Sequence, residues 1–200
     1  MKKITVYCGA NFGYDKNYEN TAAALGKILA NKGIEVIYGG AKTGLMGVVA
    51  DGALQAGGSV VGIIPKFLMD LEMAHEGLTD LITTKTMHER KALMGEKCDG
   101  VIALPGGFGT LEELFEMLTW GQLDLHKKPI GLLNVNGFYD SLMVFIEKMS
   151  EEGFLRESNK KMVLISDSIE DLLKKMTEYE PPTEKKWINK GVSETNSYDI

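Results

Sequence analysis

Seven short apolar runs recur along the chain, at residues 3–8, 34–38, 59–64, 81–84, 101–104, 130–134 and 163–166. Stretches of this length read as strands, and the one at 101–104, apolar at every position, reads as a parallel strand buried on both faces. Between them the apolar residues fall at intervals of three and four. Ala22, Leu25, Ile28 and Leu29 share one face of a helix predicted over residues 15–31, which Gly33 stops. Val48, Val49 and Leu54 mark a second helix, ending at Gly57-Gly58. Thr86-Met87-His88-Glu89 has the spacing of a capping box and opens a helix to about residue 97. Leu111, Leu114, Leu118 and Trp120 mark another, and further helices are predicted over 139–151 and 169–178. Residues 66–80 fit either a short helix or a loop. Strand and helix alternate throughout, which predicts an α/β fold: a parallel sheet with helices on both faces and right-handed crossovers. One domain is expected over residues 1–180. After Pro181-Pro182 the composition turns polar, and residues 181–200 are expected to form a mobile tail, with Trp187 and Ile188 as its only docking residues.

Three strands are followed at once by glycine-rich turns: Gly9-Ala10-Asn11-Phe12-Gly13, Gly39-Gly40-Ala41-Lys42-Thr43-Gly44-Leu45-Met46-Gly47, and Pro105-Gly106-Gly107-Phe108-Gly109-Thr110. In a parallel sheet all three lie at carboxyl ends of strands, where ligands bind. Glycines let backbone approach a ligand, and the helix that follows offers unpaired N–H groups to a phosphate. Thr110 and Glu113 again have capping-box spacing, so Glu113 has a plain reading as the cap of its own helix. Glu112 reads as a first-turn carboxylate that complements the helix dipole.

The known nucleotide fingerprints do not fit these turns. Gly39 and Gly44 have P-loop spacing, but Leu45-Met46 stands where Lys-Ser/Thr is required. The turn at residues 106–109 lacks the third small residue of the dinucleotide pattern. No Gly-x-Ser-x-Gly elbow occurs, and no His, Asp and Glu cluster has metal spacing. The net charge of −6 over 200 residues argues against a nucleic-acid surface. No apolar run is long enough to cross a membrane, and the run after Met1-Lys2-Lys3 is too short for a signal peptide, so a cytoplasmic protein is expected. Cys8 and Cys98 adjoin apolar runs and are expected to be buried free thiols. There remains a phosphate cradle flanked by Glu112 and Glu113, together with Arg90 and Lys91 on the helix opened by Thr86. A carboxylate beside a sugar stabilises an oxocarbenium-like transition state or activates water, and an arginine holds a phosphate through parallel hydrogen bonds. Cleavage at C1 of a ribose phosphate is one chemistry these groups permit.

The stretch from Pro105 to Glu113 resembles the PGGxGTxxE motif of the LOG ("lonely guy") family of cytokinin-activating phosphoribohydrolases, often mislabelled lysine decarboxylases. Tyr38 to Gly47, Met87-His88-Glu89-Arg90-Lys91 and Lys128 to Asn134 match in the same order, so the resemblance spans about residues 3–178. It implies a modified Rossmann sandwich, a homodimer, no metal or organic cofactor, and hydrolysis of a nucleoside 5′-monophosphate, AMP or N6-prenylated AMP, to free base and ribose 5-phosphate. It implies catalytic roles for Arg90 and Glu113. It implies a substrate-binding turn at Gly106, Gly107, Phe108, Gly109 and Thr110, and nucleotide contacts from Glu72, Lys91 and Thr119. Two departures stand out. Ala10-Asn11 replaces a common Ser-Ser, and Ala41 replaces a common third glycine. Against these roles, Lys91 also reads as part of a solvated helix face, Glu72 as loop surface, His75 and His126 as surface or hinge residues, and His88 as a packing residue. Met94 reads as core filler or a surface for the base. Two other functions remain open: a non-catalytic nucleotide carrier on the same fold, and a decarboxylase, which would need a pyridoxal-phosphate lysine in a context this sequence does not offer.

Overall fold

The computed structural model describes residues 1–69 and 74–182. Strands β1 (Lys3–Tyr7), β2 (Glu35–Tyr38), β3 (Val60–Pro65), β4 (Asp80–Thr84), β5 (Gly100–Ala103), β6 (Ile130–Leu133) and β7 (Val163–Ser166) fall on the seven apolar runs. They form one fully parallel sheet in the order β4-β3-β2-β1-β5-β6-β7. The helices are α1 (Lys16–Asn31), α2 (Gly44–Gln55), α3 (Met87–Lys97), α4 (Phe108–Gln122), α5 (Asp140–Glu151), α6 (Glu157–Lys160) and α7 (Ile169–Thr177). Helix α6 is a single turn that apolar spacing does not announce. Lys66–Leu68 forms one 3-10 turn; the centre of the next loop, like residues 183–200, lies outside the described residues.

Alternate strand residues feed two cores, as the two-residue period of a strand requires. Ile4, Val6, Val36, Tyr38 and Ile102 pack under α1, α2 and α7. Tyr7, Ile37, Ile63, Val101 and Ala103 pack under α3, α4 and α5. Helices α1 and α2 touch through their backbones. A methyl on Gly26 would lie 2.2 Å from the Val49 carbonyl oxygen, and one on Gly52 would lie 2.4 Å from that of Ala23. Asp15 and Thr86 cap α1 and α3 by accepting the N–H groups of Asn17 and Glu89. Glu89 returns the bond to the N–H of Lys85 rather than Thr86, a capping box shifted by one residue. Both cysteines are buried and free. Among the described residues, no helix is long and apolar enough to cross a membrane.

Candidate active site

From β1 the chain steps outward to β2, β3 and β4, then returns to place β5 on the other side of β1. Crossovers that diverge in this way leave a crevice beyond the carboxyl ends of β1 and β5. A cleft of about 380 Å³ occupies that place. The glycine turns that meet there are stitched together by backbone. The Gly9 N–H donates to the Pro105 carbonyl at 3.0 Å, and the Leu45 N–H donates to the Gly9 carbonyl at 3.1 Å. Gly44 has φ +62°, and a methyl there would lie 2.2 Å from the Ala10 carbonyl group. Only glycine satisfies both conditions.

The start of α4 forms the anion-binding end of the cleft. Gly107 is its N-cap residue, and the first helical bond runs from Leu111 N–H to the Gly107 carbonyl at 3.1 Å. The N–H groups of Phe108, Gly109 and Thr110 precede that bond and are free for a ligand, as at other phosphate-binding helix starts. This start overturns the capping-box reading. The helix begins at Phe108, so Glu113 and the buried Thr110 both lie within it and neither caps it. Glu112 likewise lies past the first turn. The Thr110 side chain instead packs against Gly106, where a methyl would lie 2.2 Å from Oγ1. Gly106→Ala should therefore displace Thr110 and weaken inorganic phosphate binding roughly tenfold, since overpacking of this kind costs about 1–3 kcal/mol. Phosphate inhibition constants measure this.

Arg90 enters from α3. It is 6% exposed, and backbone carbonyls hold it: Nε donates to Ile63 at 3.0 Å and Nη2 to Gly39 at 3.3 Å. A methyl on Gly39 would lie 2.1 Å from Nη2, so a larger residue there displaces the guanidinium. A guanidinium has five N–H donors, so the strand ends fix its plane and leave donors over for a ligand. Among the described residues no carboxylate forms an ion pair with it, so its charge is available to an anion. Glu113 faces the same cleft from α4. Burial pushes its carboxyl up to about 7; Arg90 opposes the rise, and Glu112 adds to it. A carboxyl held near neutral pH exchanges protons readily, which is what a general base requires.

Of the residues singled out in the sequence, Arg90, Gly106, Gly107, Gly109, Thr110 and Glu113 line this one cleft. Three described residues do not join them, and the fourth is not described. Glu72 lies outside the described residues. Phe108 opens α4, but it is 95% exposed and does not line the cleft. Lys91 is buried rather than solvated and pairs with Glu112 and with Glu116, the latter at 3.0 Å. Thr119 bonds its own helix, donating to the Phe115 carbonyl at 2.7 Å, and lines a separate apolar hollow with Phe115, Leu118 and Phe154. Met94 is core, 1% exposed, and not a surface for a base. His75 is buried, not a surface residue: Nε2 meets Asp51 at 3.0 Å, and Nδ1 accepts the Gly77 N–H. His126 braces the turn before β6 through the Met117 carbonyl and the Lys128 N–H. Sequence reasoning did not select Asn11, Phe12, Tyr18, Met46 and Phe138, which also line the cleft. The first glycine turn could have pointed to Asn11 and Phe12. Tyr18 and Phe138 meet edge to face at 6.1 Å from elements 120 residues apart, and nothing local signals that contact. Among the described residues, no group of three or more His, Cys, Asp or Glu could hold a metal ion.

Residues 46–176 match the family described as possible lysine decarboxylase. The cytokinin riboside 5′-monophosphate phosphoribohydrolase LOG of Oryza sativa subsp. japonica is 45% identical over 92% of this chain and 76% of its own length. LOG2 of Arabidopsis thaliana, with the same activity in its name, is 44% identical over 90% of this chain and 85% of its own length. The chain belongs to the LOG family. The Rossmann-like sandwich of the LOG family extends further in structure than in sequence. The molybdenum cofactor carrier protein of Chlamydomonas reinhardtii superposes with a TM-score of 0.67 at 21% identity, covering 88% of this chain and 98% of its own. The molybdenum cofactor binding protein of Rippkaea orientalis superposes with a TM-score of 0.68 at 24% identity, over 89% and 97%. These two likenesses show a shared fold.

Proposed function

We propose that this LOG-family protein hydrolyses the N-glycosidic bond of a nucleoside 5′-monophosphate, AMP or its N6-prenylated form, releasing free base and ribose 5-phosphate. The observation that carries this reading is the meeting of three groups in one cleft: the α4 N–H cradle, the carbonyl-anchored Arg90 and the near-neutral Glu113. The names of the relatives support the same activity. The phosphate sits on the cradle of Gly106, Gly107, Gly109 and Thr110, and Arg90 holds the phosphoribosyl unit beside it. As the C1–N bond breaks, its electron pair leaves with the base and positive charge grows at C1. The Glu113 carboxylate stabilises that charge and takes a proton from the water whose oxygen bonds to C1.

Chromatography of AMP and isopentenyladenosine monophosphate after incubation with the protein tests the reading. Free base and ribose 5-phosphate are expected. A nucleotide that binds and is recovered intact would replace the hydrolase with the carrier.

The same reading includes a homodimer. Thr119, a nucleotide contact by family resemblance, lies off the cleft on an apolar hollow, so it reaches a nucleotide only across a subunit interface. Light scattering should give twice the 22.0 kDa chain mass, and Thr119→Arg should halve it.

A further inference from the structure

Two neighbouring pairs face each other across the site, Arg90-Lys91 on α3 and Glu112-Glu113 on α4. The outer members are joined. Lys91 is 6% exposed, and its ammonium bridges Glu112 and, at 3.0 Å, Glu116. The far ends of the two helices touch through apolar groups, with Gly95 of α3 beside Met117 and Trp120 of α4. The lysine bridge is therefore the polar tie at the catalytic end of the α3–α4 contact. Two of the ammonium's three donors go to these carboxylates, so at most one is left for a ligand.

Resting on the hydrolase reading above, we propose that Lys91 is a positioning residue rather than a nucleotide contact: its ammonium locks α3 to α4, fixing Arg90 relative to Glu113, and balances the carboxylates that crowd Glu113. The local charge count makes the second role necessary. Around Glu113, α4 contributes Glu112 and Glu116, α3 contributes Arg90 and Lys91, and β1 with the turn after it contributes the buried, neutral Tyr7 and Cys8. Three carboxylates face two cations. Removing Lys91 leaves three facing one, and that excess disfavours the ionised Glu113 that catalysis uses.

The test combines a carbon-detected NMR titration of the Glu113 carboxyl, without substrate, with kcat and KM against pH. Lys91→Met should raise the Glu113 titration midpoint and the acidic limb of the kcat profile together by about half to one pH unit. At pH 7 kcat should fall several-fold, with KM changed less than about threefold. Lys91→Arg should restore both. Lys91→Met combined with Glu112→Gln and Glu116→Gln should bring the midpoint back down. Glu116→Gln alone, a milder change in a helix surface, should lower it below wild type. An unmoved midpoint in Lys91→Met, or a large rise in KM that the glutamine substitutions do not reverse, would overturn the proposal. The titration needs no turnover, so a protein that releases no base still decides the role of Lys91, while the base-release assay decides the hydrolase separately.

Discussion

Glu113→Gln should abolish base release while leaving nucleotide binding and the fold intact. Glutamine keeps the shape of the side chain and its hydrogen bonding but accepts no proton and carries no charge. General-base assistance contributes roughly 10²–10⁴-fold, so the loss in kcat should be of that order. The wild-type rate should rise with pH as the carboxyl ionises around 7 and flatten above it. The same carboxyl links stability to pH with a definite sign. Its value is about 7 in the folded chain against 4.5 ordinarily. Between those values the folded state holds a proton that the unfolded state has released, so stability falls as pH rises through that window. Glu113→Gln removes this dependence and should stabilise the protein at pH 8 by about 1–3 kcal/mol. Urea denaturation at pH 5 and pH 8 separates the two proteins. A variant that is inactive yet more stable at alkaline pH is the signature of a carboxylate strained for chemistry, whereas a helix cap would show the reverse.

Replacing Arg90 should be nearly as damaging, with a different signature. Arg90→Ala leaves the carbonyls of Gly39 and Ile63 without their donor, and each buried acceptor so stranded costs about 1–3 kcal/mol. Loss of a preorganised charge at the reacting centre lowers kcat by roughly 10²–10³-fold. Arg90→Lys should recover little, because one ammonium cannot span both carbonyls and still reach the phosphoribosyl unit. Stability and turnover should thus fall together for Arg90 and move in opposite directions for Glu113. Steady-state kinetics and denaturation on the same preparations show the contrast.

The fold was legible because short strand stretches alternate with helix-spaced ones, and the inner strands β1, β2, β3, β5 and β6 are buried on both faces while the edge strands β4 and β7 are only partly covered. The glycine turns were legible because close neighbours leave little room for a side chain: the Ala10 backbone at Gly44, and the Arg90 and Thr110 side chains at Gly39 and Gly106. Arg90 and Glu113 came from the family motif rather than from spacing, which by itself made Glu113 a cap. That local reading failed because α4 begins three residues early, at Phe108, a position with no capping side chain to mark it. The solvated-face reading of Lys91 failed for a related reason. Its helix shows little amphipathic pattern, and the glutamates that cover it sit on α4, more than twenty residues away. His75 joins the β3–β4 loop to α2 through Asp51, a contact that only the sheet order creates.

The stitching of Gly9 to Pro105 and to Leu45 is made of main-chain atoms alone. Such a cradle can tolerate drift at the side chains it carries. Ala10-Asn11 brings no hydroxyl to this turn, and the main-chain frame holds the turn in place without one. Natural variation in this region should therefore tune which molecule enters, while the capacity to grip a phosphate persists so long as the glycines do.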